Sequence, residues 1–103
     1  MERAVDQVAY TEISGTRQDH EVLVYALSTC AFCKRAIDYL ESQDVSFKYV
    51  HLDKIDIELK RAVKRELAQR FDNIVVFPIL VVDDQRAYSG FTENIWARAL
   101  DIA

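Results

Sequence analysis

An unbroken apolar run, Val22-Leu23-Val24-Tyr25-Ala26-Leu27, leads through Ser28-Thr29 into Cys30-Ala31-Phe32-Cys33, where a segment of helical periodicity begins. A strand that is apolar on both faces must be covered on two sides, so the run demands a central place in a sheet with helices above and below. The two cysteines are the only ones in the chain. A pair separated by two residues at a strand-to-helix junction is the pattern of a dithiol redox centre. The location favours that chemistry. The first amides of a helix have no intrahelical partner, and the helix dipole adds partial positive charge at the same end. A thiolate at Cys30 would meet both, and the thiolate is the form that attacks disulfides. Cys33, Ala36, Ile37 and Leu40 recur at helical spacing, which puts Cys33 on the inward stripe one turn below Cys30. One thiol is therefore expected to be accessible and the other sheltered. Ser28 and Thr29 offer capping hydroxyls, and the helix is expected to end near Gln43-Asp44.

The remaining pattern alternates strands and helices. Residues 45–52 read as a second strand, so strand, helix and strand imply a right-handed parallel crossover. Asp53 or Asp56 can cap a helix over residues 56–71 with Leu59, Val63, Leu67 and Phe71 inward, and Glu66 stands four residues before Arg70 as an ion pair. Ile74–Phe77 leads into Pro78 and the strand Ile79-Leu80-Val81-Val82. The turn Asp83-Asp84-Gln85 joins it to a strand over residues 86–88, as a hairpin. Ser89-Gly90 breaks that strand, and Thr92 caps a final helix carrying Trp96, Ala99, Leu100 and Ala103. Residues 1–20 support two readings. Val8, Tyr10 and Ile13 can form a short edge strand ended by Gly15, or the segment is a frayed extension.

Composition excludes several classes. A chain of 103 residues is one domain and needs no disulfide staple to hold a core. A net charge of −4 gives no general attraction to nucleic acid or to an anionic membrane. No stretch reaches the roughly 18 apolar residues of a membrane span. The N-terminus lacks the apolar core of a signal peptide, so a cytoplasmic location is expected. In a reducing compartment the cysteine pair cannot serve as a static structural bond.

The order strand, dithiol, helix, strand, helix, proline-led hairpin, helix resembles the thioredoxin-like fold, and more narrowly the glutaredoxin group, over residues 21–103. Glutaredoxins typically read Cys-Pro-Tyr-Cys; here Ala31 and Phe32 lie between the cysteines, which keeps the aromatic character and restores a backbone donor where the proline is lost. The family usually has Thr-Val-Pro with the proline cis and facing the dithiol, where this chain has Val76-Phe77-Pro78. Glutathione users usually carry Gly-Gly followed by two aspartates, where this chain has Ser89-Gly90, Phe91, Thr92 and Glu93. They also favour Lys or Arg three residues before the first cysteine, and Leu27 stands there. Tyr88-Ser89-Gly90-Phe91 is closer to the small redoxins that serve ribonucleotide reductase and are recharged by thioredoxin reductase.

The resemblance implies an α/β, thioredoxin-like (glutaredoxin-type) three-layer α/β/α sandwich with a central four-stranded mixed sheet, to which residues 1–20 add an edge strand or an extension. It implies a thiol–disulfide oxidoreductase acting on protein or mixed glutathione disulfides, with Cys30 attacking and Cys33 resolving. Phe32, Phe77, Pro78 and Phe91 would form an apolar rim, and Ser89, Gly90 and Thr92 would join them in holding substrate. No bound cofactor and no metal are expected beyond the redox-active disulfide, with glutathione or thioredoxin reductase as electron donor. A monomer acting on a disulfide-containing protein is expected, with no nucleic-acid or membrane partner.

Blander readings stand beside these. The cysteines could be buried structural thiols or half of a zinc site, although only His20 and His51 remain as further ligands and neither has the spacing of a second pair. Pro78 could be a strand-edge proline and His51 a hydrogen-bonded structural residue. Lys60, Arg61, Lys64 and Arg65 form the solvated face of a helix or a docking patch for an acidic protein. A different class of function is a carrier of a [2Fe–2S] cluster, in which one cysteine from each of two chains is completed by two glutathione thiols. Members specialised for that task usually keep a single cysteine, and Cys33 and the weak glutathione motif argue against it.

Overall fold

The computed structural model describes residues 3–72, 74 and 76–102. Val75, in the expected segment before Pro78, and Ala103, expected on the last helix, lie outside them. Strands β1 (Thr11–Ile13), β2 (Val22–Ala26), β3 (Phe47–His51), β4 (Ile79–Val82) and β5 (Arg86–Ser89) form one sheet in the order β1-β3-β2-β4-β5. Helices α1 (Ala31–Ser42), α2 (Ile57–Arg70) and α3 (Glu93–Ala99) cover it. β2 pairs parallel with β3 and antiparallel with β4, and β4 and β5 form the expected hairpin.

The period-two alternation of each strand sorts its side chains into two cores. Val22, Val24 and Ala26 of β2, with Leu80 and Val82 of β4, pack against Cys33, Ala36 and Leu40 of α1 and Trp96 of α3. Tyr25, Ile79 and Val81 point the other way and meet Val63 and Leu67 of α2. This two-sided covering is what the apolar run of β2 required. It fixes α1 on one face and α2 on the other.

Residues 3–20 contribute one edge strand and a short buried helix. β1 pairs antiparallel with β3 as an edge strand, but Val8 lies outside it. Instead Ala4, Val5 and Val8 are buried against the α2 core, through a short 3-10 helix over Ala4–Gln7. Glu66 accepts hydrogen bonds from the Ala4 and Val5 amides, while Arg70 reaches Asp84 at 2.7 Å. The expected Glu66–Arg70 pair is thus replaced by two longer-range ties, because each side chain finds a partner on a neighbouring element. Gly15 permits the approach of this segment to the α1–β3 turn: a Cβ there would lie 2.5 Å from the Asp44 carbonyl oxygen.

Asp56 is the cap of α2, accepting from the amides of Glu58 and Leu59 at 3.1 Å. Thr92 occupies the N-cap position of α3 without a side-chain capping bond. The β4–β5 turn carries Asp83 and Asp84 at φ 54° and 56°, a left-handed pair that suits a tight hairpin and that aspartate tolerates. Both carboxylates are engaged. Asp84 binds Arg3 and Arg70, and Asp83 accepts from the Glu21 amide at 2.8 Å. No helix among the described residues is long and apolar enough to cross a membrane.

His20 lies at this pole, with Nδ1 2.7 Å from Asp83 and Nε2 2.7 Å from Asp101. The two carboxylates raise the affinity of its ring for a proton, Asp83 contributing most, and His20 in turn lowers the Asp83 carboxyl. A raised histidine contributes stability that is complete below the unfolded value of about 6.5 and fades as pH rises through the folded value. The lowered aspartate sets the acid limit, its contribution fading as pH falls below about 4. His20→Gln should therefore lose about 1 kcal/mol at pH 6, a figure held down by the solvent exposure of the partners. The loss should shrink steadily as pH rises above about 6.5, as read from urea unfolding of both proteins over a pH series. A pH-independent difference would assign His20 a packing role instead.

Candidate active site

The end of β2 sets the geometry. Ala26 pairs with His51 of β3, and Tyr25 pairs with Ile79 of β4, so His51 and Pro78 flank the strand where it exits toward Cys30. A tight turn follows, closed by a hydrogen bond from the Cys30 amide to the Leu27 carbonyl at 3.2 Å. Asp53 braces the turn from the β3–α2 connection. Its carboxylate accepts from the Ser28 amide at 2.9 Å and from the Ser28 hydroxyl, bonds that lower the Asp53 carboxyl. Ser28 therefore ties two loops together and does not cap α1.

The cap of α1 is Cys30 itself. Its sulfur accepts a hydrogen bond from the Cys33 amide at 3.1 Å. A reactive side chain thus takes the position that Ser28 and Thr29 were expected to serve, because the helix begins one residue later than hydroxyl capping requires. Cys30 is partly exposed and Cys33 is 1% exposed. Burial, reinforced by a hydrogen bond to Cys30, pushes the Cys33 thiol up to about 12. The division into a reachable and a sheltered sulfur matches the helical spacing of the sequence.

The remaining expected site residues fall into two groups. Phe32 stands 57% exposed on the first turn of α1, with the Arg35 guanidinium 5.5 Å from its ring centroid. Phe77 is partly buried between the two cores, and its bond to the buried Pro78 is cis. Ser89 and Gly90 hold this segment. The Ser89 hydroxyl bonds both the amide and the carbonyl of Val76 at 2.7 Å, and the Gly90 amide donates to the Pro78 carbonyl at 2.8 Å. Gly90 has φ 81°, a conformation that other residues resist, and its carbonyl accepts from Trp96 Nε1 at 3.0 Å. Phe91 packs edge-on against Trp96 at 5.0 Å and lies 5.7 Å from Tyr39, and Thr92 is exposed at the start of α3.

Sequence reasoning did not foresee the depression beside Cys30, about 250 Å³ in volume. Cys30 and Leu27 line it together with Lys34 and Ile37 of α1 and Tyr49 and His51 of β3. The His51 ring stands edge-on to Tyr49 at 5.4 Å. One signal was available: His51 closes a parallel strand, and ligands of parallel sheets gather at the carboxyl ends of the strands. His20, the other histidine weighed as a metal ligand, is instead held between Asp83 and Asp101.

Residues 22–87 match the glutaredoxin family model. A glutaredoxin from Methanosarcina mazei Go1 is 31% identical, with a TM-score of 0.76 over 90% of this chain and 88% of that one. Methanosarcina acetivorans methanoredoxin is 32% identical, with a TM-score of 0.70 over 78% of this chain and 83% of that one. A glutaredoxin from Archaeoglobus fulgidus is 28% identical, with a TM-score of 0.69 over 81% of this chain and 88% of that one. A search of curated protein sequences gives no match. The chain belongs to the glutaredoxin family, with the thioredoxin-like fold and a thiol redox function.

The asymmetry of the dithiol is open to measurement. A thiol with a pKa of about 12 is ionised on the order of one part in ten thousand at pH 8. Iodoacetamide at that pH should alkylate Cys30 at least about a hundredfold faster than Cys33, as read by peptide mass mapping of briefly labelled reduced protein. Equal rates would mean that α1 does not shelter the second sulfur.

Proposed function

We propose that the protein reduces disulfides of other proteins by thiol–disulfide exchange through Cys30 and Cys33. The observation that carries this reading is the paired environment of the two sulfurs: one partly exposed at a helix N-terminus under an amide donor, the other buried behind it. The Cys30 thiolate attacks one sulfur of the substrate disulfide. The substrate S–S bond breaks, a Cys30 mixed disulfide forms, and the released thiolate takes a proton from water. Cys33 then loses its proton and attacks the Cys30 sulfur, which expels the second substrate thiolate. Two electrons pass to the substrate and the protein is left with a Cys30–Cys33 disulfide.

The timing of the second step is built into the pair. Besides burial, a hydrogen bond to Cys30 and negative charge on Cys30 hold the proton on Cys33. The charge is removed and the hydrogen bond weakened once Cys30 is bonded to substrate. Cys33 becomes easier to ionise at the moment it is needed.

Two electron donors are consistent with the chain. Leu27 in place of a cation, and Ser89-Gly90 in place of a glycine pair, favour recharging by thioredoxin reductase. The depression lined by Lys34 and His51 favours glutathione, whose carboxylates would meet those side chains beside Cys30. Oxidised protein offered NADPH with thioredoxin reductase, or NADPH with glutathione and glutathione reductase, separates the two by rate.

Cys30→Ser should abolish reduction of a protein disulfide, by at least about a thousandfold, since the one remaining thiol, Cys33, is buried out of a substrate's reach. Cys33→Ser should accumulate a covalent complex with the substrate protein, visible on non-reducing gels and dispersed by dithiothreitol. If Cys33→Ser gave no complex while Cys30→Ser kept activity, the assignment of roles would be wrong.

A further inference from the structure

The α2 helix carries a surface that the dithiol chemistry does not use. Lys60, Arg61, Lys64 and Arg65 place four of the chain's thirteen cations within two turns, in a protein of net charge −4. Nearby carboxylates barely offset them. Glu66 is occupied by the Ala4 and Val5 amides, and Glu58 stands 3.7 Å from Arg61 alone. Among the described residues Lys60, Lys64 and Arg65 form no ion pair.

The topology strings these charges along a helix that runs from the dithiol turn to the opposite pole. Asp53, just before α2, is bonded to Ser28 of the dithiol turn, whereas Arg70, at the end of α2, is bonded to Asp84 at the opposite pole. The four cations therefore occupy the middle of α2, with Lys60 and Arg61 in the half nearer the dithiol and Lys64 and Arg65 just past the midpoint. Lys64 also borders an apolar groove of about 220 Å³ between α2 and the approach to Pro78. Leu67, Ala68, Ile74, Val76 and Phe77 line it, and Val76 is 53% exposed at its edge. An apolar slot bordered by Lys64, with Lys60 one helical turn before it on the same face and Phe77 of the cis-proline segment in its lining, fits one kind of occupant.

We infer that this groove docks the disulfide-bearing segment of an acidic protein, with an apolar side chain in the slot and carboxylates on Lys60, Lys64 and Arg65. The inference rests on the disulfide-reductase reading and names its substrate class. Rim charges of this kind act chiefly on the rate of encounter, and salt screens them. Docking thus selects acidic partners before Cys30 attacks.

The test uses pre-reduced full-length protein and short peptides closed by an internal disulfide, each with a leucine beside the loop. One peptide has a Glu-rich flank, the other a Lys-rich flank. Acid-quenched chromatography gives the second-order rate constant for each. At low salt the Glu-rich peptide should be reduced about tenfold faster than the Lys-rich one, and most of that preference should disappear at about 0.5 M salt. Replacing the leucine by serine should slow the Glu-rich peptide several-fold. The K60E/K64E variant should reverse the order of the two peptides, with its helical circular dichroism checked against the native protein. Equal rates for the two peptides, or a preference that survives high salt or the charge reversal, would overturn the docking surface. The salt series needs no variant and decides the matter if K60E/K64E fails to fold. Hydroxyethyl disulfide, too small to reach α2, reports on the dithiol alone. Failure to reduce it would remove the reductase reading itself, and with it this inference.

Discussion

The amide of Cys33 pointing at the sulfur of Cys30 is the contact on which the site depends, and it exists only because β2 ends where it does. Both faces of β2 are buried, so neither its direction nor its register can slip without exposing one core. Pairing to β3 on one side and β4 on the other then places His51 and Pro78 at its exit. The turn that follows has its amide and hydroxyl at Ser28 held by Asp53. With the strand, the turn and the helix start all constrained, the cysteine sulfur arrives under the free amide without further adjustment.

The two poles of the molecule divide the work. At the dithiol end the polar groups stay partly open, and the apolar segment around Phe77 and Pro78 is held by Ser89 and Gly90. At the other end Asp83 and Asp84 gather Arg3, His20, Glu21 and Arg70 around one tight turn. That second cluster ties the N-terminal segment, α2 and the chain end to the hairpin. It contains none of the residues assigned to chemistry.

Much of this was legible in the residues because the signals were local. The apolar run, the cysteine spacing and the Pro78 hairpin each announce themselves within a few positions, and the fold follows from their order. Capping was less legible, since several residues could serve and only tertiary contact chose among them. Ser28 prefers Asp53, Asp56 outcompetes Asp53 for α2, and Cys30 displaces both hydroxyls at α1. Glu66 and Arg70 likewise obey neighbours far away in sequence, which an i,i+4 rule cannot see. The groove at Lys64 and the depression at Lys34 are products of packing between elements, so no single stretch of sequence could reveal them.

The buried second sulfur also ties electron transfer to protons. Because Cys33 holds its hydrogen up to a pKa of about 12, closing the disulfide must release at least that one proton throughout the neutral range. For a two-electron couple, one proton per turnover lowers the midpoint potential by about 30 mV for each unit of alkalinity. The potential of the pair is therefore tied to the acidity of its surroundings through the one sulfur that α1 keeps protonated.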